Sequence, residues 1–332
     1  MNNKFVVITS INPPNEAISQ FAKWPGWDVV VVGDRKTPEP WAYPNVTYLN
    51  IEQQHDMFGE FGNFVSSIPE NTYLRKMIGY IYAIRHGANL IFESDDDNIP
   101  YPDASEIVES HLPPETRKQG RHGRHDSGWH NVYRSFGSKK CWPRGFPLEL
   151  INKSHPQIGY GNNSWGILQF LADEDPDVDA IYRMSNGESV LFENKEKIIL
   201  DAGTYCPVNS QATLWTEETF PLLFLPFGVA DRVTDILRGY IATTCLWKEN
   251  YSVAYASPIV YQKRNAHNLF HDFMQEQPLY LYADQWRRML ISLKTKTMID
   301  TYRAALQQLS TGGFITPDNI ELYEEFLLEI GR

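Results

Sequence analysis

The segment that most constrains this chain is residues 91–98, Ile-Phe-Glu-Ser-Asp-Asp-Asp-Asn, where an apolar run ends in three consecutive carboxylates. Adjacent negative charges repel one another and lose hydration when they are buried, so a fold that places them at a strand end usually supplies a cation. Oxygen ligands suit a hard divalent ion such as Mg²⁺ or Mn²⁺, which often carries the phosphates of a nucleotide. The segment therefore indicates a metal-dependent enzyme acting on a phosphorylated or nucleotide-linked substrate. The alternative interpretation is a solvated acidic turn.

Apolar runs around this segment predict alternating strands and helices. Short apolar or β-branched stretches indicate strands at residues 4–9, 27–32, 46–51 and 90–92. Residues 71–87 carry apolar side chains at helical spacing and end at Gly87, a residue typical of helix C-termini. Near-continuous apolar strands that alternate with helices predict an α/β fold whose mostly parallel central sheet is covered by helices on both faces.

Polar clusters follow three of the predicted strands. Thr9 and Ser10 lie at the end of the first strand, Asp34 follows the second, and the aspartates at 95–97 follow the fourth. In open sheets of this kind, ligands bind at the carboxyl ends of the strands. We therefore expect these side chains to share one binding site at that edge.

The overall composition narrows the classes of partner. The 332 residues carry a formal net charge of −11, which argues against a general nucleic-acid partner and against a polybasic membrane anchor. The widely spaced Cys141, Cys206 and Cys245 form neither a zinc pattern nor a disulfide framework, which favours a reducing compartment. The apolar stretch 5–8 is too short for a signal peptide or a membrane span. We expect a soluble, cytoplasmic protein.

Two other polar segments are predicted to lie outside the site. The least apolar stretch, 115–126, is predicted as an exposed loop, and its surroundings contain His122, His125 and His130 at a spacing that matches no standard metal site. A solvated basic loop is favoured there over a lid that closes on phosphates. The second acidic cluster, within 169–179, is predicted as a helix C-terminus that runs into an exposed turn, although its carboxylates could also bind metal.

Asp231 and Asp235 are separated by four residues, so on a helix both face the same way, with Arg232 and Arg238 nearby. An apolar stretch follows, which predicts a buried helix. Because buried aspartate and arginine rarely lack a role, we favour a catalytic carboxylate oriented by an arginine over a pair of surface salt bridges.

The C-terminal part is predicted to contribute cations and packing. A strand at 253–261 leads into Lys263 and Arg264, which could neutralise phosphate, and into His267 and His271, either of which could complete a metal shell. Amphipathic helices follow at 285–309 and 319–330 and are predicted to pack only. The predicted domains are a nucleotide-sugar-binding and catalytic domain, 1–275, and a helical extension, 276–332.

The order of several blocks resembles the STELLO-like glycosyltransferase family, which is of the GT-A type. The blocks that carry the resemblance are 71–80, 92–98, 175–183, 208–211 and 231–240, within roughly residues 5–270. The acidic blocks are also similar to the reversibly glycosylated polypeptides, which act as nucleotide-arabinose mutases. Plant STELLO proteins carry a membrane anchor, and none is predicted here, so their compartment is not carried over.

The resemblance implies a GT-A-like fold, a nucleotide-sugar donor that is UDP-linked, and Mn²⁺ or Mg²⁺. Asp95 and Asp97 would hold the ion, with His267 in its shell. The resemblance assigns donor binding to ten residues: Thr9, Ser10, Asn12, Asp34, Arg75, Lys76, Asp95, Asp96, Lys263 and Arg264.

The implied reaction is transfer of a sugar to a carbohydrate or other hydroxyl acceptor, in glycan or surface polysaccharide synthesis. Asp231 or Asp235 would deprotonate the acceptor in an inverting, in-line displacement, with Asp231 preferred because it lies nearer the helix N-terminus. The alternatives are a sugar-nucleotide mutase, a nucleotidyltransferase and a non-catalytic scaffold with the same fold. The sugar, the acceptor, the stereochemical outcome and homo-oligomer formation stay open.

Overall fold

The computed structural model describes residues 3–58, 64–153, 157–159, 161–186, 188–265 and 268–332. Within these ranges one sheet contains eleven strands. They are β1 Lys4–Thr9, β2 Asp28–Val32, β3 Val46–Leu49, β4 Leu90–Asp95, β5 Asn98–Pro100, β6 Arg121–Arg124, β7 Gln157–Gly159, β8 Ser164–Asp173, β9 Ile198–Leu200, β10 Ala212–Thr216 and β11 Tyr251–Gln262.

Helices cover the sheet and form most of the C-terminal part. They are α1 Glu16–Phe21, α2 Ile51–Phe58, α3 Phe64–Ser67, α4 Lys76–Arg85, α5 Ala104–Ser110, α6 Val132–Ser135, α7 Ala180–Ser185, α8 Asp231–Leu246, α9 Leu269–Ile291, α10 Met298–Thr311 and α11 Asn319–Glu329. Short 3₁₀ turns lie at Tyr73–Arg75, Thr116–Lys118, Leu148–Leu150, Glu217–Leu223 and Trp247–Glu249.

The strands lie in the order β3-β2-β1-β4-β10-β8-β11-β9-β6-β7, with β5 paired to β11. The first four are parallel, and their register sets Thr9 between Val32 and Asp95. β10 is antiparallel to both of its neighbours, whereas β8 and β11 form a long parallel pair. Parallel pairing joins most of the paired residues, so the predicted α/β fold, with a mostly parallel sheet and flanking helices, is confirmed.

Apolar side chains fill both sides of the parallel strands. Val6 and Ile8 face the smaller core cluster, and Val7 faces the larger one, as the alternation of side chains along a strand requires. Helix α4 packs directly on this sheet because Gly79 has no side chain to collide with Val7 and Val32. The carboxyl ends of these strands therefore lie at the edge of a sheet that is packed on both faces.

The C-terminal helices share the larger core with α4 and α8. Helix α9 runs without interruption from Leu269 to Ile291, through the predicted domain boundary between 275 and 276. The division into two domains stays a prediction. None of the helices in the described part of the chain has both the length and the apolar character needed to cross a membrane.

The single helix predicted at 285–309 is interrupted, since α9 ends at Ile291 and α10 begins at Met298. Two predictions for earlier segments are also wrong, for a shared reason. Part of the stretch predicted as an exposed loop forms β6, which pairs with β7 and β9 and buries His122. The chain before the second acidic cluster is strand β8, not a helix. In both cases pairing with distant strands decides the local structure, and the nearby sequence does not show that pairing.

Candidate functional site

A pocket of about 630 Å³ opens at the carboxyl ends of β1, β2 and β4. It brings together eleven of the residues predicted for the site, which lie on six separate parts of the chain. These are Thr9, Ser10, Asn12, Asp34, Arg75, Asp95, Asp96, Asp97, Asp231, Asp235 and Arg264. The parallel register explains this meeting, because it aligns the ends of the strands at one edge.

Asp95 ends β4 and is held from below by helix α4. The ammonium group of Lys76 donates to the Asp95 carboxylate at 2.9 Å, and the Tyr73 hydroxyl donates to the same oxygen at 2.9 Å. Lys76 is fully buried and also binds the carbonyl of Ser94 at 2.7 Å. Lys76 therefore lies beneath the pocket as a partner of Asp95 and does not line the pocket surface.

Asp96 turns back toward β1. Its carboxylate accepts hydrogen bonds from the Ser10 hydroxyl and, at 2.9 Å, from the Asn12 amide. Burial raises the pKa of Asp96, while these two donors act in the opposite direction. Ser10 and Asn12, both predicted as donor-binding residues, hold this aspartate in place.

Asp97 carries a poorly compensated charge. The Gln262 side chain donates to its carboxylate at 3.0 Å. Burial, and then the negative charge of Asp95, raise the pKa of Asp97 to about 6. A neighbouring cation would remove this penalty, because it favours the ionised carboxylate.

Asp34 lies at the opposite side of the pocket, beyond the end of β2. Its carboxylate accepts a hydrogen bond from the backbone of Asn71 at 2.7 Å. Arg75 lines the same side but is only 1% exposed, and it donates to the backbone carbonyl of Ile68 at 3.0 Å and to the side chain of Gln54. Burial lowers the pKa of the Arg75 guanidinium.

Asp231 and Asp235 occupy the first turns of α8, as predicted, but their surroundings differ. Asp235 is 4% exposed and receives two hydrogen bonds from Arg144, at 3.1 and 3.0 Å. Burial alone would raise the pKa of Asp235, but the charge of Arg144 overrides it and the pKa is lowered. Asp235 is therefore held in an ion pair with Arg144.

Asp231 is exposed and accepts a hydrogen bond from the backbone of Tyr73 at 3.1 Å. Partial removal of its carboxylate from water raises its pKa against the effect of that hydrogen bond, and the charge of Asp235 raises it further. A carboxylate with these properties accepts a proton more readily than Asp235 does.

Sequence reasoning missed the arginine that organises this part of the pocket. Arg144 lies between Asp177 and Asp235 and bonds both, with the closest contact to Asp177 at 2.7 Å. Arg144 lies in a Pro- and Gly-rich stretch in which no sequence pattern indicates a functional residue. The arginines predicted beside Asp235 pair elsewhere: Arg232 with Glu276, and Arg238 with Glu93.

The predicted phosphate-binding cations are placed differently from each other. Arg264 lines the pocket and pairs with Asp272 at 3.0 Å. Lys263 points away to Glu16, at 2.9 Å, and is well exposed. His267, predicted as a metal ligand, lies outside the described residues. Within the residues that are described, no group of three or more His, Cys, Asp and Glu side chains is arranged to hold a metal ion.

Comparison with known proteins shows similarity along nearly the whole chain. No family model matches. Probable glycosyltransferase STELLO1 of Arabidopsis thaliana is 26% identical over 346 residues, covering 98% of this chain and 44% of that protein. Probable glycosyltransferase STELLO2 of the same plant is 28% identical over 308 residues, covering 88% of this chain and 40% of that protein. The chain thus spans less than half the length of these relatives.

Solved structures show weaker likeness. The glucosyl-3-phosphoglycerate synthase of Mycobacterium tuberculosis is 10% identical, with a TM-score of 0.43, covering 86% of this chain and 80% of that one. The mannosyltransferase PcManGT of Pyrobaculum calidifontis, solved with GDP-Man and Mn²⁺, is 10% identical, with a TM-score of 0.38, covering 98% of this chain and 85% of that one.

The curated relatives confirm the resemblance that the motifs indicate. The matched region includes the acidic strand end and the Asp231–Leu246 helix, since it covers nearly all of the chain. The chain is a distant homologue of the STELLO probable glycosyltransferases.

Proposed function

We propose that this chain is a metal-dependent glycosyltransferase that moves a sugar from a UDP-linked donor to a hydroxyl acceptor. One observation carries the proposal: Asp95, Asp97 and Asp231 meet in one pocket at the carboxyl edge of the sheet. Homology to proteins named probable glycosyltransferases supports it. A cytoplasmic location and a role in glycan or surface polysaccharide synthesis remain predictions.

The charge balance of the pocket supports a bound cation. Among the described residues, six aspartates and five basic side chains line it. Three of the basic side chains are already committed to carboxylates: Arg144 to Asp177 and Asp235, Arg232 to Glu276, and Arg264 to Asp272. A nucleotide diphosphate therefore needs further positive charge to bind here.

The carboxylates fit a hard divalent ion. Mg²⁺ is commonly bound by one or two protein carboxylates together with substrate phosphates and water, so a three-ligand protein cluster is not required. Asp95 and Asp97 would supply these two carboxylates. When bound, the ion would stabilise negative charge on the departing nucleotide diphosphate. Lys76 and Tyr73 fix the orientation of Asp95 before any ligand arrives.

We assign the general base to Asp231. The raised pKa of Asp231 and its exposure to the pocket suit proton abstraction. Asp235 suits it less, because two hydrogen bonds from Arg144 stabilise its ionised form and lower its pKa. In the proposed inverting step, the acceptor oxygen forms a bond to the anomeric carbon as the bond to the diphosphate breaks. Asp231 takes the hydroxyl proton.

The test is a screen of UDP-sugars for metal-dependent transfer and hydrolysis, with wild type and Asp231→Asn. The variant should bind UDP with Mn²⁺ as wild type does, while the transfer rate falls by about 10²–10⁴-fold. Asp235→Asn serves as the matched control and should keep most of the transfer rate. Isomerisation of the donor sugar without an acceptor would identify a mutase instead, and absence of UDP binding would favour the scaffold alternative.

A further inference from the structure

A second pocket, of about 550 Å³, lies beside the first. One wall is the chain after β8, another is α7 with the residues that follow it, and the third comes from the segment after β11. Gln262, Arg264 and Asn265 line both pockets. Because Gln262 also donates to Asp97, the shared wall lies next to one of the two aspartates that we assign to the cation.

The backbone fixes the outer wall of this second pocket. Glu174 and Val190 form an isolated antiparallel bridge, with N–H···O distances of 2.7 and 2.9 Å. Glu174 lies in the left-handed region, with φ of 69°, which glycine adopts more easily than glutamate. The bridge thus holds a glutamate side chain at the pocket wall, in a backbone conformation that does not favour it.

Three carboxylates and two arginines line the second pocket among the described residues. Both arginines are paired, Arg183 with Asp175 and Arg264 with Asp272, whereas the exposed Glu174 and Glu188 have no salt-bridge partner in the described part of the chain. Asn186, Ser189 and Asn265 add neutral hydrogen-bonding groups, whereas Pro176, Val178 and Tyr182 of the lining are largely buried. This combination of carboxylates and amides suits the hydroxyl groups of a compact, polar ligand.

A buried donor also lacks a partner at this wall. The Arg183 side chain is 8% exposed, and its Nε–H has no acceptor in the described part of the chain. Its other guanidinium nitrogens bind Asp175 and the carbonyl of Pro176. This Nε–H is enclosed by protein, so it points to an ordered water behind the wall, and Arg183 serves to fix the wall through Asp175 and Pro176.

We propose that this second pocket binds the acceptor, and that the acceptor is an uncharged saccharide. The inference rests on the proposed function, since it takes the first pocket as the donor site. The unpaired carboxylates of Glu174 and Glu188 would accept hydrogen bonds from sugar hydroxyls. They would repel a phosphorylated or carboxylated acceptor, because like charges at a partly desolvated site disfavour binding.

The experiment compares matched glycosides on protein saturated with UDP and Mn²⁺. A panel of 4-nitrophenyl glycosides of glucose, galactose and xylose is titrated calorimetrically, beside the glucuronide and galacturonide, which differ from their parents by one carboxylate. Neutral glycosides should bind, and the uronides should bind at least about tenfold more weakly. In Glu174→Gln/Glu188→Gln the difference should shrink to less than about threefold, because the repelling charges are gone.

The control is Glu106→Gln, which removes an exposed glutamate that lines neither pocket and should leave the tenfold difference in place. Uronides that bind as tightly as their neutral parents would overturn the proposal. UDP binding with no glycoside binding at all would also overturn it, while leaving the donor site intact. Failure of UDP itself to bind would instead count against the proposed function.

Discussion

Two acid–arginine pairs each use one residue of α8, Asp235 and Arg238, and the surroundings of the two pairs differ. Arg238 pairs with Glu93 inside the protein, and both side chains are fully buried. Asp235 pairs with Arg144 at the pocket wall, where the two side chains are 6% and 7% exposed and Asp177 is a third member. The first pair is enclosed by the core, whereas the second borders the space where we place the substrate.

The same contrast appears along β4. Glu93 and Asp95 are two residues apart, so both side chains face one side of the sheet. On α4, Tyr80 covers Glu93 and Lys76 covers Asp95. Glu93 lies inside the strand and is fully buried, whereas Asp95 lies at the strand end with a side chain that is 33% exposed.

The largest expected effect comes from breaking the enclosed pair. Glu93→Gln leaves the buried Arg238 charge without a counter-charge, so the free energy of unfolding should fall by about 3–5 kcal/mol. Urea denaturation measures this. Asp231→Asn, at the exposed end of the same helix, is the control and should change stability by less than about 1 kcal/mol. If Glu93→Gln changed the free energy of unfolding as little as Asp231→Asn does, the enclosed Glu93–Arg238 pair would not have the structural role that we describe.

The pocket pair should tolerate loss of one partner better. In Asp235→Asn the guanidinium of Arg144 keeps Asp177, so the cost should be about 2 kcal/mol, less than for Glu93→Gln. The same urea experiment compares the two variants. If Asp235→Asn were the more destabilising of the two, Arg144 would belong to the structural class and not to the site.

The raised pKa of Asp97 predicts that replacing this aspartate stabilises the protein, unlike the two substitutions above, and that the stabilisation depends on pH. Its pKa is about 6 in the folded protein, above the usual 3.8, so ionisation of Asp97 costs stability progressively as the pH rises from about 4 to about 6, and the full cost remains above that range. With EDTA present, Asp97→Asn should be more stable than wild type at pH 8 by on the order of 1 kcal/mol. The difference should vanish as the pH falls below about 4. Thermal unfolding across this range measures it, and a variant less stable at pH 8 would contradict the assignment.

The smallest effect is expected at Lys263. Its ammonium group pairs with Glu16 on the surface and does not line the pocket, and exposed pairs contribute little. Lys263→Met should therefore change UDP affinity with Mn²⁺ by less than about threefold. A larger loss would return Lys263 to the donor site, as the sequence pattern predicts.

The strands could be predicted because apolar periodicity is a local property, and the edge where their polar ends meet could be predicted because parallel strands end on the same side of a sheet. The apolar runs at 4–9 and 90–92 coincide with β1 and the start of β4, and the parallel register brings Thr9 beside Asp95. The Asp231/Asp235 helix was also predictable, since four-residue spacing and a following apolar stretch specify it.

The partners of the charged side chains could not be predicted, because they depend on distant contacts. Arg144 is more than thirty residues from Asp177 and about ninety from Asp235. Arg238 was predicted beside Asp235 but points to Glu93, which lies on strand β4. Sequence spacing gives the side of a helix that a residue faces, not which counter-charge the fold brings to it.

The central claim is that Asp97 and its neighbours hold a divalent ion that binds a nucleotide diphosphate. The most direct test is calorimetric titration of UDP, with GDP as a comparison, in Mn²⁺ and then in EDTA, on wild type and Asp97→Ala. We predict UDP binding that requires Mn²⁺ and weakens by at least about 100-fold in Asp97→Ala, while the variant stays folded. UDP binding that is unaffected by EDTA or by the substitution would contradict the account, as would the absence of any nucleotide binding to wild type.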